Sequence, residues 1–199
     1  MLDAVPGSAA HPDRPSTHIS RRDGALVVAE AGADHPGRGR LGLGLWQYTA
    51  AFPVLDAGSG STPAHGNRGA YAFAETRDGS RRRLDAFARL GLAAGRFNAA
   101  DRFASAGIVL NRVLPGRPED QLGFAVALMH QGGPARAAAR AAGAPIPAVE
   151  TSLELTWRAE PAPWLALQPT LQYVRHPGGS STYRDALVLG LRVELSVAR

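Results

Sequence analysis

Ala186-Leu-Val-Leu-Gly-Leu-Arg-Val-Glu-Leu-Ser-Val197 is the stretch that decides the fold class. In an extended chain Leu187, Leu189, Leu191, Val193, Leu195 and Val197 fall on one side, while Gly190, Arg192, Glu194 and Ser196 fall on the other. That is the period of two expected of a strand with one apolar and one polar face. Working back toward the N-terminus, Trp164–Tyr173 sets Leu165, Leu167, Leu171 and Tyr173 against Gln168, Thr170 and Gln172. Thr151–Arg158 opposes Leu153, Leu155 and Trp157 to Ser152, Glu154, Thr156 and Arg158, and Gln121–Met129 and Leu84–Leu92 repeat the alternation. Weaker runs at Ala25–Ala31, Arg40–Thr49, Ala70–Arg77 and Phe103–Asn111 bring the expectation to about nine strands. Helical periodicity appears only in Pro134–Ala142, an Ala/Arg stretch read as a loop with one helical turn. The connections are too short for helical crossovers, so the class is all-β and antiparallel.

Composition removes whole categories of function. The chain of 199 residues has no cysteine, which excludes disulfide scaffolds, zinc–thiolate sites, iron–sulfur clusters and thiol nucleophiles. The formal net charge is +5, yet the densest basic runs, Arg21-Arg22 and Arg81-Arg82-Arg83, lie beside turn residues. No basic face with interleaved aromatics is present, and nucleic-acid binding is not expected. Asp and Glu pairs occur without a defined separation, and no His-Glu-x-x-His or comparable spacing exists, so neither catalysis nor a metal or other cofactor is expected. No apolar stretch of about 18 residues is present that would make a transmembrane helix. Met1–Ser20 has neither the basic nor the apolar region of a signal peptide. Residues 1–21 are expected to be a disordered N-terminal segment, and the start suggests a fragment or a mis-called initiation site.

Two features favour a membrane barrel over a soluble sandwich. Strands of about 9–11 residues suit a tilted crossing of the hydrocarbon layer. The connections also alternate in length. Ala159–Pro163, Arg112–Pro118, Asp78–Arg83 and a turn around Gly32–Gly39 are compact, whereas the alternate set includes the long Ala50–Arg68 and Gln131–Ala148. Outer-membrane barrels have short periplasmic turns and longer external loops. With the C-terminus on the periplasmic side, Trp157 and Trp164 fall at the inner rim and Tyr173 near the outer rim, as aromatic girdles require.

Several segments resemble consecutive pieces of the carbohydrate-selective (OprB-like) porin family. They are Gly24–Gly32, Arg40–Thr49 and Gly69–Glu75, then Leu114-Pro-Gly-Arg-Pro-Glu-Asp120 with Leu122–Ala127, then Glu150–Arg158, Pro163–Val174 with His176-Pro-Gly178, and Ala186–Ser196. The resemblance spans roughly Arg22 to Ser196 in the family's order. It implies an antiparallel transmembrane barrel of about sixteen strands, of which residues 22–199 are the C-terminal portion. It further implies passive diffusion of carbohydrates and other small solutes across a Gram-negative outer membrane, with lipid and sugars as partners and self-association among the expectations. The chain ends Ser196-Val-Ala-Arg199, where such porins usually finish on an aromatic residue.

If the apolar faces meet lipid, the opposite faces line the lumen. This places Trp46, Tyr48, Glu75, Arg77, Asp85 and Arg89 inside, together with Glu154, Arg158, Arg192 and Glu194. Carboxylates, amides and guanidinium groups exchange hydrogen bonds with sugar hydroxyls, and aromatic faces stack on sugar C–H groups. Three neighbouring strands are expected to gather Glu75, Arg77, Asp85, Arg89 and Trp46. Two alternatives stay open at this point: a truncated, non-functional porin remnant, and a soluble β-sandwich or lipocalin-like binder.

Overall fold

The structure, a computed structural model, describes residues 24–55, 62–76 and 83–196. Arg77, the segment 1–21, most of the turn at 78–83 and Val197 lie outside the described residues. Among the described residues nine strands follow one another: β1 (Leu26–His35), β2 (Gly39–Tyr48), β3 (Arg68–Glu75), β4 (Leu84–Ala93), β5 (Ala100–Asn111), β6 (Gln121–Gln131), β7 (Val149–Ala162), β8 (Leu165–Arg175) and β9 (Ala186–Leu195). They form one sheet in the order β1 to β9, each antiparallel to its sequence neighbour. Among the described residues β1 and β9 are each paired on one side only, so the sheet is an open, partial barrel wall.

The usual hydrophobic interior is missing, and the reason is the side-chain alternation. Among the described residues only Val54, Ala135, Ala159 and Ala166 are buried apolar side chains. The large ones lie bare on one face: Leu43 is 66% exposed and Leu189 79%, with Leu45, Leu90, Leu92, Phe124, Leu155 and Leu191 on the same side. A patch of this extent is untenable in water and natural in hydrocarbon. The outward positions turn polar at one rim, where Gln47, Arg68, Arg102, His130 and Arg175 stand at strand ends. No second sheet covers either face among the described residues, so the sandwich alternative is not the fold this chain adopts.

Two local expectations need correction. The Ala/Arg stretch is a nine-residue helix, α1 (Gly133–Ala141), and not a loop with one turn. Pro134 stands in its first turn, where no intrahelical N–H donor is needed; alanines fill its body, and Arg140 lies in the last turn. Strand β7 runs to Ala162, so the β7–β8 connection is the two residues Pro163 and Trp164, shorter than the Ala159–Pro163 turn expected.

The connections at the two ends differ as the loop lengths imply. At one end lie the turn between β1 and β2 and those following β3, β5 and β7; at the other lie the long connections, which bind one another. Leu55 N–H donates to Arg96 O, Gly132 N–H to Ala99 O (2.8 Å) and Ser181 Oγ to Pro145 O (2.6 Å). Asn98 Nδ2 reaches Asn67 Oδ1 at 2.7 Å, and Gly179 N–H donates to Glu150 Oε2 at 3.0 Å. The β8–β9 connection is also held by Asp185, which accepts from Tyr173 O–H (2.5 Å) and from His176 N–H (3.1 Å). These donors favour the carboxylate, first through the tyrosine and then through the backbone amide, and hold the Asp185 carboxyl below its ordinary value.

Two outcomes are expected. Leu43→Arg, at the middle of an interior strand on the lipid side, destabilises the vesicle-folded chain by about 2–4 kcal/mol, whereas Gln47→Arg at the rim on the same face costs about 0–1 kcal/mol; urea titration in lipid vesicles measures both. Because the Asp185 carboxyl is depressed, its stabilisation of the β8–β9 connection is present above the ordinary aspartate value of about 3.9 and is lost as the pH falls through the lowered one. Hydrogen exchange at residues 176–185, corrected for intrinsic rate, should therefore rise in strongly acidic solution, and Asp185→Ala should show the raised rate already at neutral pH.

Candidate functional site: the lumenal face

The face opposite the leucines is built in rows, because paired residues in neighbouring strands point the same way. One row runs Glu30, Gly44, Tyr71, Gly91, Phe103, Met129 and Glu150; the next runs Gly32, Gly42, Phe73, Arg89 and Ser105; a third runs Asp34, Arg40, Glu75, Phe87, Gly107, Ala125 and Glu154. Glycines and aromatics alternate across strands for a steric reason. A Cβ at Gly42 would overlap the Phe73 ring, one at Gly44 the Tyr71 ring, one at Gly69 the Trp46 indole and one at Gly107 the Phe87 ring. The rings therefore lie down on bare backbone and stay close to the wall.

On β1 to β4 this wall carries interlocked charges. Arg40 Nη2 donates to Glu30 Oε1 at 2.9 Å, and Tyr71 O–H donates to Glu30 Oε2 at 2.6 Å. The Arg40 guanidinium sits 4.7 Å from the Phe73 ring centre. Arg89 repeats the plan at 4.9 Å over Phe87, with Glu75 Oε2 3.8 Å from its Nη2. Each guanidinium is thus held between a ring and a carboxylate. A concavity of about 430 Å³ opens here, lined by Glu30, Arg40, Tyr71, Phe73, Glu75, Arg89 and Phe103.

Toward the short-turn end a second group forms a polar belt. Thr76 Oγ1 donates to Asp85 Oδ1 (2.8 Å), Asn111 Nδ2 to Asp85 Oδ2 (2.7 Å), and Gln121 Nε2 to Asn111 Oδ1 (2.9 Å). The belt continues through Arg158, which pairs with Glu160 and reaches Glu194 at 3.4 Å, while Arg192 reaches Glu194 at 2.7 Å. Beneath it Asp120, fully buried, accepts Glu160 N–H at 3.1 Å and lies 3.5 Å from Arg117. This ties the β5–β6 turn to the end of β7.

The predicted lumenal residues that lie within the described chain all fall on this face, but they are not one cluster. Glu75 and Arg89 sit together; Asp85 belongs to the belt. Trp46 and Tyr48 lie toward the long-loop end, edge to face at 5.9 Å, with Phe52 5.0 Å from Tyr48. Glu154 stands opposite Gln172, and Arg158, Arg192 and Glu194 share the belt. Arg77 lies outside the described residues. The expected gathering of Trp46, Asp85, Glu75 and Arg89 is therefore split into three levels along the strands.

Four important partners escape a reading by alternation. Glu30 lies in an Ala/Val run whose two faces look alike, and Arg40 is the second residue of β2, where a charge beside a turn looks like an ordinary boundary. Asn111 and Gln121 end and begin strands, where polar residues look like ordinary boundaries. A count of cross-strand register from the β1–β2 turn would have placed Glu30 and Arg40 on the same face. Among the described residues no group of three or more His, Asp or Glu side chains has metal-binding geometry.

The comparisons with known proteins agree with this geometry. The family model for the carbohydrate-selective porin, OprB family, matches residues 6–196. Porin B of Pseudomonas aeruginosa is 26% identical over 126 residues, covering 57% of this chain and 28% of that protein. A solved structure of Pseudomonas putida OprB at high pH superposes with a TM-score of 0.76 at 24% identity, over 90% of this chain and 50% of that one. The chain thus spans half or less of the length of these two relatives. With the match running through all nine strands, the chain belongs to the carbohydrate-selective porin, OprB family.

Proposed function

We propose that residues 22–199 form the wall of an outer-membrane channel for passive diffusion of neutral sugars and other small polar solutes, with no catalytic step. The observation that carries this is the division of one sheet into two solvents' worth of surface. The outward face offers a continuous apolar band to lipid, and the inward face offers matched Arg–carboxylate pairs, amides and aromatic rings. A lumen in which Arg40, Arg89, Arg158 and Arg192 each stand beside a carboxylate presents hydrogen-bonding edges of both kinds, which suits uncharged polyols. Binding spread over several weak contacts lets solute enter and also leave. On this basis the pore-lining set is Trp46, Tyr48, Glu75, Arg77, Asp85, Arg89, Glu154, Arg158, Arg192 and Glu194, extended by Glu30, Arg40, Asn111 and Gln121. The family's outer-membrane setting supplies the location, with lipid as the partner of the apolar face.

Liposome swelling tests the proposal. The chain folded into vesicles should resist alkaline extraction and admit sugars at rates that fall from a monosaccharide to a trisaccharide. Recovery in the aqueous phase, or insertion without any size-dependent swelling, would overturn it.

A further inference from the structure

We propose that the β1–β5 concavity is a subsite for a neutral sugar ring, and that Glu30 and Glu75 are specificity-determining residues that keep acidic sugars out. This rests on the channel function proposed above and assigns it to particular atoms. Phe73 and Phe87 do not offer open faces, since each lies on a glycine and carries a guanidinium above it. Phe103 is different: 41% exposed, it stands on the lumenal face of β5 opposite Gly91, whose missing side chain leaves the space beside it open. Within this concavity Phe103 is the apolar platform for sugar C–H groups, and the flanking charges supply the edges that meet hydroxyls.

The charges are arranged to hold a neutral guest and repel an anion. Both oxygens of Glu30 are engaged, one by Arg40 and one by Tyr71, which fixes the carboxylate in place. Arg40 and Glu30 remain 37% and 36% exposed, and Arg89 and Glu75 56% and 29%, so all four reach the lumen. The five donors of a guanidinium are not exhausted by one carboxylate contact, and the remaining ones can meet hydroxyl oxygens. A solute carboxylate, by contrast, would meet two guanidinium groups whose charge is already matched and two fixed carboxylates of its own sign. Without Glu30 and Glu75 the same site keeps both ring-stacked guanidinium groups and loses two of its carboxylates, with Asp34 opposite Arg40 remaining, so the balance shifts toward a solute carboxylate.

The test uses the full chain folded in detergent, with saturation-transfer NMR titrations of methyl glucoside and of gluconate. The wild-type chain should bind the glucoside and discriminate against the acid. Glu30→Gln/Glu75→Gln should shift the ratio of the two affinities toward the acid by about tenfold, equivalent to about 1.4 kcal/mol, with heat-modifiable migration unchanged. Equal wild-type binding of both solutes, or a ratio that the double variant leaves unaltered, would overturn the subsite. Should the double variant fail to fold, Phe103→Ala decides: it should weaken the glucoside while leaving all four charges in place, and unchanged binding would overturn the proposal. Size-dependent swelling by sugars that bind nowhere near this cluster would remove the subsite and leave the channel standing; absence of both swelling and binding would remove the channel itself.

Discussion

Backbone hydrogen bonding in lipid is the constraint on which everything else here depends. Hydrocarbon supplies no partner for an N–H or a C=O, so a strand can cross only if a neighbour satisfies it on each side. The continuous registers from β1 through β9 provide that for the seven inner strands. Side chains are then released from the task of building an interior. This explains how so few apolar residues can be buried in a well-ordered sheet, and why the outward leucines need no partner from the protein itself.

The same release shapes the lumenal face. A barrel interior that must stay open cannot be filled by upright aromatic side chains, yet aromatics are present in quantity on β2 to β5. Glycine resolves the conflict: opposite each of four rings the wall has no side chain, and the ring folds into that space. A glycine in a strand interior usually weakens it; here the covering ring replaces the missing packing. Stacked guanidinium groups then become part of the wall instead of mobile arms, which gives the lumen a defined pattern of charge.

Legibility in the sequence followed the contrast between the two faces. In β7 and β9 large apolar residues alternate with Glu154, Arg158, Arg192 and Glu194, and the fold class could be read directly. In β1 both faces are small or apolar, so its strand character showed weakly and the importance of Glu30 not at all; its meaning comes from Arg40 across a hairpin and Tyr71 a further strand away. The Ala/Arg run of α1 has high helix propensity, but the glycines and prolines on both sides of so short a segment read as loop, and its buried Ala135 and the bond from Gly132 to Ala99 are tertiary. A period of two fixes the side, and the residues expected in the lumen that lie within the described chain share the face opposite the leucines. Their height along the strands does not follow from alternation, since it depends on the cross-strand register of β2 to β4.

The number nine has a directional consequence. In an all-antiparallel sheet with an odd strand count the first and last strands point the same way, and β1 and β9 both run from the long-loop rim toward the short-turn rim. Their free edges therefore cannot be joined to each other in antiparallel fashion. A ring that keeps alternating polarity around its whole circumference must insert an odd number of further strands between β9 and β1; an even number, or none, forces one parallel seam. The polarity of two edge strands thus restricts, by parity alone, what can complete the circle.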